Sequence, residues 1–145
     1  MFESKLLKKN LATSGFTLIE LLVVVAILGV IASIGVVAYG SYKVTAKRNS
    51  AENTMLQISL AQTEYYSDNS SYYTTDSGAN CDADSDSSGE IATNLFINVA
   101  SKIDFEMCII PHGTGDYKIK AESTKDSCVI EWNNVDQKSV RTGCD

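Results

Sequence analysis

The stretch GFTLIELLVVVAILGVIA, Gly15 to Ala32, decides how this 145-residue chain is read. It is almost wholly apolar, yet a carboxylate, Glu20, stands near its start with no basic residue beside it. From Leu21 to Tyr39 the only polar side chains are Ser33 and the terminal tyrosine. As a helix that run covers about 28 Å, enough to cross the hydrocarbon core of a bilayer. An isolated ion in hydrocarbon costs at least ~2.5–3.5 kcal/mol on insertion scales. Glu20 therefore needs either a cationic partner or a helix-end position at headgroup level.

Upstream, MFESKLLKKNLATSG is polar and carries Lys5, Lys8 and Lys9 against Glu3. A secretory signal cut near Ala38 and discarded is one reading of such a leader and apolar run. Against it, the run exceeds a usual signal core, it contains an acid, and helical patterning continues beyond it. A plain membrane anchor carrying an exported domain is another reading. Charge asymmetry sets no orientation for it, because Lys43, Lys47 and Arg48 balance the leader lysines.

Beyond Tyr42, KVTAKRNSAENTMLQISLAQTEYY turns amphipathic. Ala51, Met55, Ile58, Gln62 and Tyr65 alternate spacings of four and three, which places them on one helical stripe facing a core. No proline interrupts residues 16–68, so one helix of about 50 residues is expected. Its second half should pack on a globular head. Gly29, Gly35 and Gly40 each weaken a helix by about 1 kcal/mol relative to alanine, which leaves room for local unwinding between Gly35 and Gly40.

The formal charge of −6 disfavours nucleic acid as a bulk partner, since phosphate binding needs a concentrated basic surface. A local patch is conceivable from Lys118, Lys120, Lys125, Lys138 and Arg141, against the alternative of solvated strand faces. The four cysteines, Cys81, Cys108, Cys128 and Cys144, form no CxxC pair, and the single histidine, His112, lies away from them beside Pro111 and Gly113. That spacing suits two disulfides in an oxidising compartment better than zinc. Nothing has the constellation of a catalyst: one histidine, no G-x-S-x-G and no P-loop. No cofactor is implied.

SDNSSYYTTDSGANCDADSDSSGE, after the helix, reads as a long polar loop. Its Asp82, Asp84 and Asp86 alternate as calcium ligands do, but Ser87 stands where the EF-hand needs glycine, and solvated loop is the stronger reading. A short apolar segment around Leu95–Ile103 comes next. FEMCII, DYKIKAE, SCVIEW and KSVRT then read as strands, separated by PHGTG, STKD and NNVDQ, which predicts an antiparallel meander.

GFTLIEL behind a short basic leader resembles the prepilin motif of the type IV pilin family, its pseudopilins included. The resemblance implies cleavage after Gly15 by a membrane prepilin peptidase, which then N-methylates Phe16. It also implies that Glu20 meets the Phe16 amine of the adjacent subunit and sets axial register. The entry EYY…DN…Y, with Tyr65, Tyr66, Tyr72 and Tyr73, resembles the end of a pilin stalk. One departure is Val37, where many type IV pilins carry proline. The favoured disulfides are Cys81–Cys108, pinning the loop to the first strand, and Cys128–Cys144, closing the C-terminal loop. The latter resembles the family's C-terminal disulfide-bounded region, and Cys81–Cys144 with Cys108–Cys128 stays open as the alternative.

The expected fold is α+β: a long N-terminal α-helix, with a membrane half and an amphipathic half, packed on a small antiparallel β-sheet head. The expected divisions are a leader at 1–15, a membrane or filament-core helix at 16–44 and the amphipathic half at 45–68. A polar loop region at 69–104 and a sheet with C-terminal loop at 105–145 follow. The expected role is a structural pilus subunit, held singly spanning the inner membrane with a cytoplasmic N-terminus and then built into an extracellular homo-oligomeric or mixed pilin filament. A type II secretion pseudopilin and a DNA-binding minor competence pilin are the alternatives. The implied partners are the peptidase/methyltransferase, an inner-membrane platform, an assembly ATPase, a secretin and, before assembly, lipid.

Overall fold

The computed structural model describes residues 15–99 and 103–144, with the side chain of residue 37 outside that description. The expected leader lies, Gly15 apart, outside the described residues. The element order is α1 (Leu18–Asn69), α2 (Ser85–Asn94), β1 (Phe105–His112), β2 (Asp116–Ser123), β3 (Val129–Asn133) and β4 (Ser139–Thr142). By contacts the chain divides into Met1–Ser41 and Tyr42–Asp145.

In the first unit, α1 runs through Gly35 and Gly40 without interruption. Its described side chains are exposed, from Leu18 at 81% to Ile34 at 71%. The mean hydropathy reaches 3.0 over an 18-residue window, none of it buried, so this helix is long and apolar enough to cross a membrane. A Cβ at Gly29, Gly35 or Gly40 would meet nothing within 4 Å, so no intrachain packing requires glycine there.

In the second unit the expected helical stripe is the core. Ala51, Met55, Ile58 and Gln62 are fully buried, and Tyr65 packs at the margin. They face a four-stranded antiparallel sheet in the order β1-β2-β3-β4. Phe105, Met107 and Ile109 of β1, Tyr117, Ile119 and Ala121 of β2, and Ile130 and Trp132 of β3 supply the facing surface. Alternation along β2 is regular, with every second residue buried, as a sheet with one covered face requires.

Gln62 is a polar residue with no exposed surface, and its amide explains why it stands in an apolar stripe. Nε2 donates to the Tyr73 carbonyl at 2.7 Å, and Oε1 accepts from the Tyr73 N–H at 2.9 Å. One side chain thereby satisfies both backbone groups of a loop residue that passes over the helix. Tyrosines continue the join: Tyr65 meets Tyr73 edge-on at 5.7 Å, and Tyr66 lies 4.7 Å from Tyr72. Tyr72 in turn lies 4.7 Å from Tyr117.

The polar segment expected to be loop throughout contains a helix, α2. Asp84 Oδ1 accepts from the Ser87 N–H at 2.7 Å, while Ser87 Oγ accepts from the Asp84 N–H at 3.0 Å, a reciprocal capping box. The Ser, Asp and Gly content hides this helix because those residues favour turns over helix interiors. Ile91, fully buried, and Ser88 tie it to the core.

α2 and the preceding loop close the outer edge of β1, which would otherwise leave unpaired backbone groups. The Met107 N–H donates to Ser88 Oγ at 2.8 Å, and Ser87 Oγ donates to the Met107 carbonyl at 2.9 Å. Two residues on, Ile109 N–H donates to Thr75 Oγ1 at 2.9 Å, and Thr75 N–H returns a bond to the Ile109 carbonyl at 2.9 Å. Pro111 continues this outward-facing series, so its missing N–H removes no ladder bond and β1 extends to His112, beyond the expected end at Ile110. Covering by the loop also buries the second face of β1, where Cys81, Cys108 and Ile110 form a separate small cluster.

Replacing Gln62 by Leu keeps the side chain similar in volume but removes the amide and strands the Tyr73 N–H and carbonyl. A stability loss of about 2–6 kcal/mol is expected, from roughly 1–3 kcal/mol for each of the two unsatisfied groups. Urea unfolding of the full chain in detergent, followed by tryptophan fluorescence, measures it.

Candidate assembly site at the start of the long helix

Gly15, Phe16 and Thr17 precede α1 and are not helical. Thr17 is the helix N-cap: its carbonyl accepts from the Leu21 N–H at 3.2 Å, and its Oγ1 accepts from the Glu20 N–H at 3.3 Å. Glu20 answers, with Oε2 accepting from Thr17 Oγ1 at 3.0 Å and from the Thr17 N–H at 3.4 Å. The four residues Thr-Leu-Ile-Glu thus form a capping box. Sequence reasoning missed Thr17, although the T-x-x-E spacing ahead of an apolar run is its signature.

This arrangement turns the Glu20 carboxylate back onto Thr17 at the head of the helix. Negative charge there also complements the positive end of the helix dipole. A Cβ on Gly15 would meet nothing within 4 Å among the described residues.

The disulfides are Cys81–Cys108 and Cys128–Cys144, closing 27 and 16 residues, with no free cysteine. Cys81–Cys108 fastens the loop to the second face of β1. Cys128–Cys144 returns the chain after β4 to the start of β3, where a Cβ on Gly143 would lie 2.6 Å from the Ser127 carbonyl oxygen. Glycine is required there, both by that approach and by a φ of 65°.

Asp82, Asp84 and Asp86 line one open recess together with Asp76 and Glu90. Asp84 is used as the α2 cap, and among the described residues no group of three or more His, Cys, Asp or Glu could hold a metal ion. The five basic residues are separated. Lys118 and Lys120 alternate onto the outer sheet face, where Lys118 pairs with Glu131 at 3.4 Å and Lys120 with Glu122. Arg141 stands opposite Ile130, on the helix side, and binds both oxygens of Glu52 at 2.9 Å and Asn49 at 2.9 Å. Lys125 and Lys138 are exposed in turns. His112 is exposed at the end of β1.

Three ionic contacts flank the buried stripe. Lys47 pairs with Asp104, Arg48 with Asp126 at 3.6 Å, and Glu52 with Arg141. Arg48 also donates to the Cys144 carbonyl at 2.8 Å, tying the helix to the C-terminal disulfide loop. The Lys47 hydrogen bond holds the Asp104 carboxyl below its ordinary range, and the Arg141 hydrogen bond does the same for Glu52. Asp126 is lowered chiefly by the Ser123 hydroxyl.

Residues 11–36 match the prokaryotic N-terminal methylation motif. The chain is 44% identical over 54 residues to fimbrial protein EcpC of Eikenella corrodens, covering 37% of this chain and 35% of that one. It is 33% identical over 63 residues to the type IV major pilin protein PilA of Myxococcus xanthus, covering 43% and 29%. The chain thus spans about a third of the length of the curated relatives it matches. No solved structure matches. These similarities are to a fimbrial protein and a type IV pilin, and this chain itself has a long helix followed by a four-stranded antiparallel sheet.

Because the carboxyls of Glu52, Asp104 and Asp126 are lowered, and that of Asp84 too by its bonds from Ser87, the unfolded chain binds more protons than the folded one as pH falls. Their contribution is present above the unfolded values near about pH 4 and is withdrawn as pH drops through the folded ones. Tyr117 acts at the other end: burial pushes its hydroxyl up to about 12, so stability is lost as pH climbs from about 10 through that value. Melting temperatures across pH are expected to be level in the middle and to fall at both ends, with Tyr117→Phe reducing the alkaline loss.

Proposed function

We propose that this protein is a structural subunit of a type IV pilus, stored in the inner membrane, cleaved after Gly15, methylated on Phe16 and polymerised through its apolar helix. The observation that carries the reading is the Glu20 carboxylate folded back by Thr17 onto the segment just after Gly15. Cutting there exposes an amine on Phe16, beside a carboxylate that otherwise has no cation among the described residues near it. A neighbour's amine supplies the same charge, and such a pair fixes axial register more than it adds stability.

Four further features support it. A Cβ on Gly15 would meet none of the described residues, which fits a residue read by a peptidase. The exposed apolar residues from Leu18 to Val44 need cover, first from lipid and then from the helices of other copies. The second unit, with its two disulfides, suits an oxidising exterior. The separation and pairing of the basic residues favour a filament surface over a nucleic-acid groove. The N-terminus then faces the cytoplasm before assembly, and the peptidase, platform, ATPase and secretin are the machinery.

Intact-mass analysis of the chain from cells with active prepilin peptidase should show residues 1–15 gone and one methyl added at Phe16. A chain still beginning at Met1 would overturn the reading. Glu20→Ala should spare cleavage but impair methylation or assembly, and normal methylated filaments from that variant would refute the register role. Labelling sheared filaments by antibody separates a shaft subunit, labelled along its length, from a sparse minor one.

A further inference from the structure

Phe96, just beyond α2, is 94% exposed and has a φ of 53°. A bulky side chain in the left-handed region is strained, and such strain persists where the surrounding fold enforces it and something uses it. Across a groove of about 610 Å³ stands Leu60, 73% exposed on α1, with Glu64 and Asp68 on the same rim. The feature is an apolar knob in an acidic setting.

Toward the other end of the second unit's part of α1 lies its counterpart. A recess of about 230 Å³ has Val44 and Phe105 in its lining, together with four cations and two carboxylates. Asp104 and Asp126 are already paired with Lys47 and Arg48, so Lys43 and Lys125 leave the rim positive. Val44 is 41% exposed and offers apolar surface to an incoming ring. Sixteen residues of helix, roughly 24 Å, separate Val44 from Leu60, so knob and recess cannot meet within one chain.

The geometry points to a contact between copies in which Phe96 of one chain enters the recess beside Val44 and Phe105 of another, with Glu64 and Asp68 set against Lys43 and Lys125. It rests on the filament reading above and deepens it by naming the partner surface as a second copy. Opposite charges align the approach and the ring fills the apolar floor, the arrangement of a central anchor with a polar rim. Because the two surfaces differ, the contact is head-to-tail and repeats without closing, as a filament requires.

The test is photocrosslinking of the full chain in filament-forming cells, with p-benzoylphenylalanine in place of Phe96, a position exposed enough to leave folding unchanged. Sheared filaments should yield dimers whose crosslinked peptides contain residues 43–47, 104–105 or 123–126 of the second copy. Lys43→Glu with Lys125→Glu should lower dimer yield about tenfold or more by placing like charges together. Adding Glu64→Lys and Asp68→Lys should restore it. Filaments with crosslinks to other segments or to lipid, or with monomers alone, overturn the contact and leave the filament reading standing. A chain that is processed but builds no filament overturns both.

Discussion

The second unit depends on one stripe of α1. Ala51, Met55, Ile58 and Gln62 have no exposed surface, and the inner faces of β1, β2 and β3 close over them. Everything else is arranged around that contact. Lys47, Arg48 and Glu52 bind groups at its margins, and Gln62 holds the crossing loop by both backbone groups of Tyr73. The loop in turn brings Thr75, Ser87 and Ser88 to the open edge of β1. Four strands with one helical cover make a small core, and two disulfides limit what the unfolded chain gains by opening it.

The apolar part of α1 obeys the opposite rule. Its described side chains find no cover among the described residues, and the segment is long and apolar enough to cross a membrane. The capping box at its start shows how an acid is kept at the head of such a segment. Thr17 satisfies the carboxylate locally, while the same geometry leaves it beside the chain end that cleavage would create. One side chain thus caps the helix and, on the proposed reading, also serves assembly.

Periodicity made much of this legible. A nineteen-residue apolar run, a stripe at spacings of four and three and alternating strands separated by turn residues are local patterns, and local patterns survive in sequence. The four strands fall where their alternation places them, and the stripe is buried as read. The motif GFTLIEL carried the family resemblance. T-x-x-E was equally readable as a helix start.

What sequence did not disclose depends on partners distant in the chain. α2 is composed of turn-favouring residues, and it is a helix because Asp84 caps it and Ile91 and Ser88 dock on β1. Gln62 read as one more core position until Tyr73 came against it. Five cations close in sequence became two sheet faces and two turns, with most of their charge matched by acids. The sequence by itself determined the apolar helix, the amphipathic stripe and the meander, because each follows from the spacing of side chains along one segment. Only the tertiary structure decided α2, the closed edge of β1 and the matching of charges, because each requires groups many residues apart to satisfy one another.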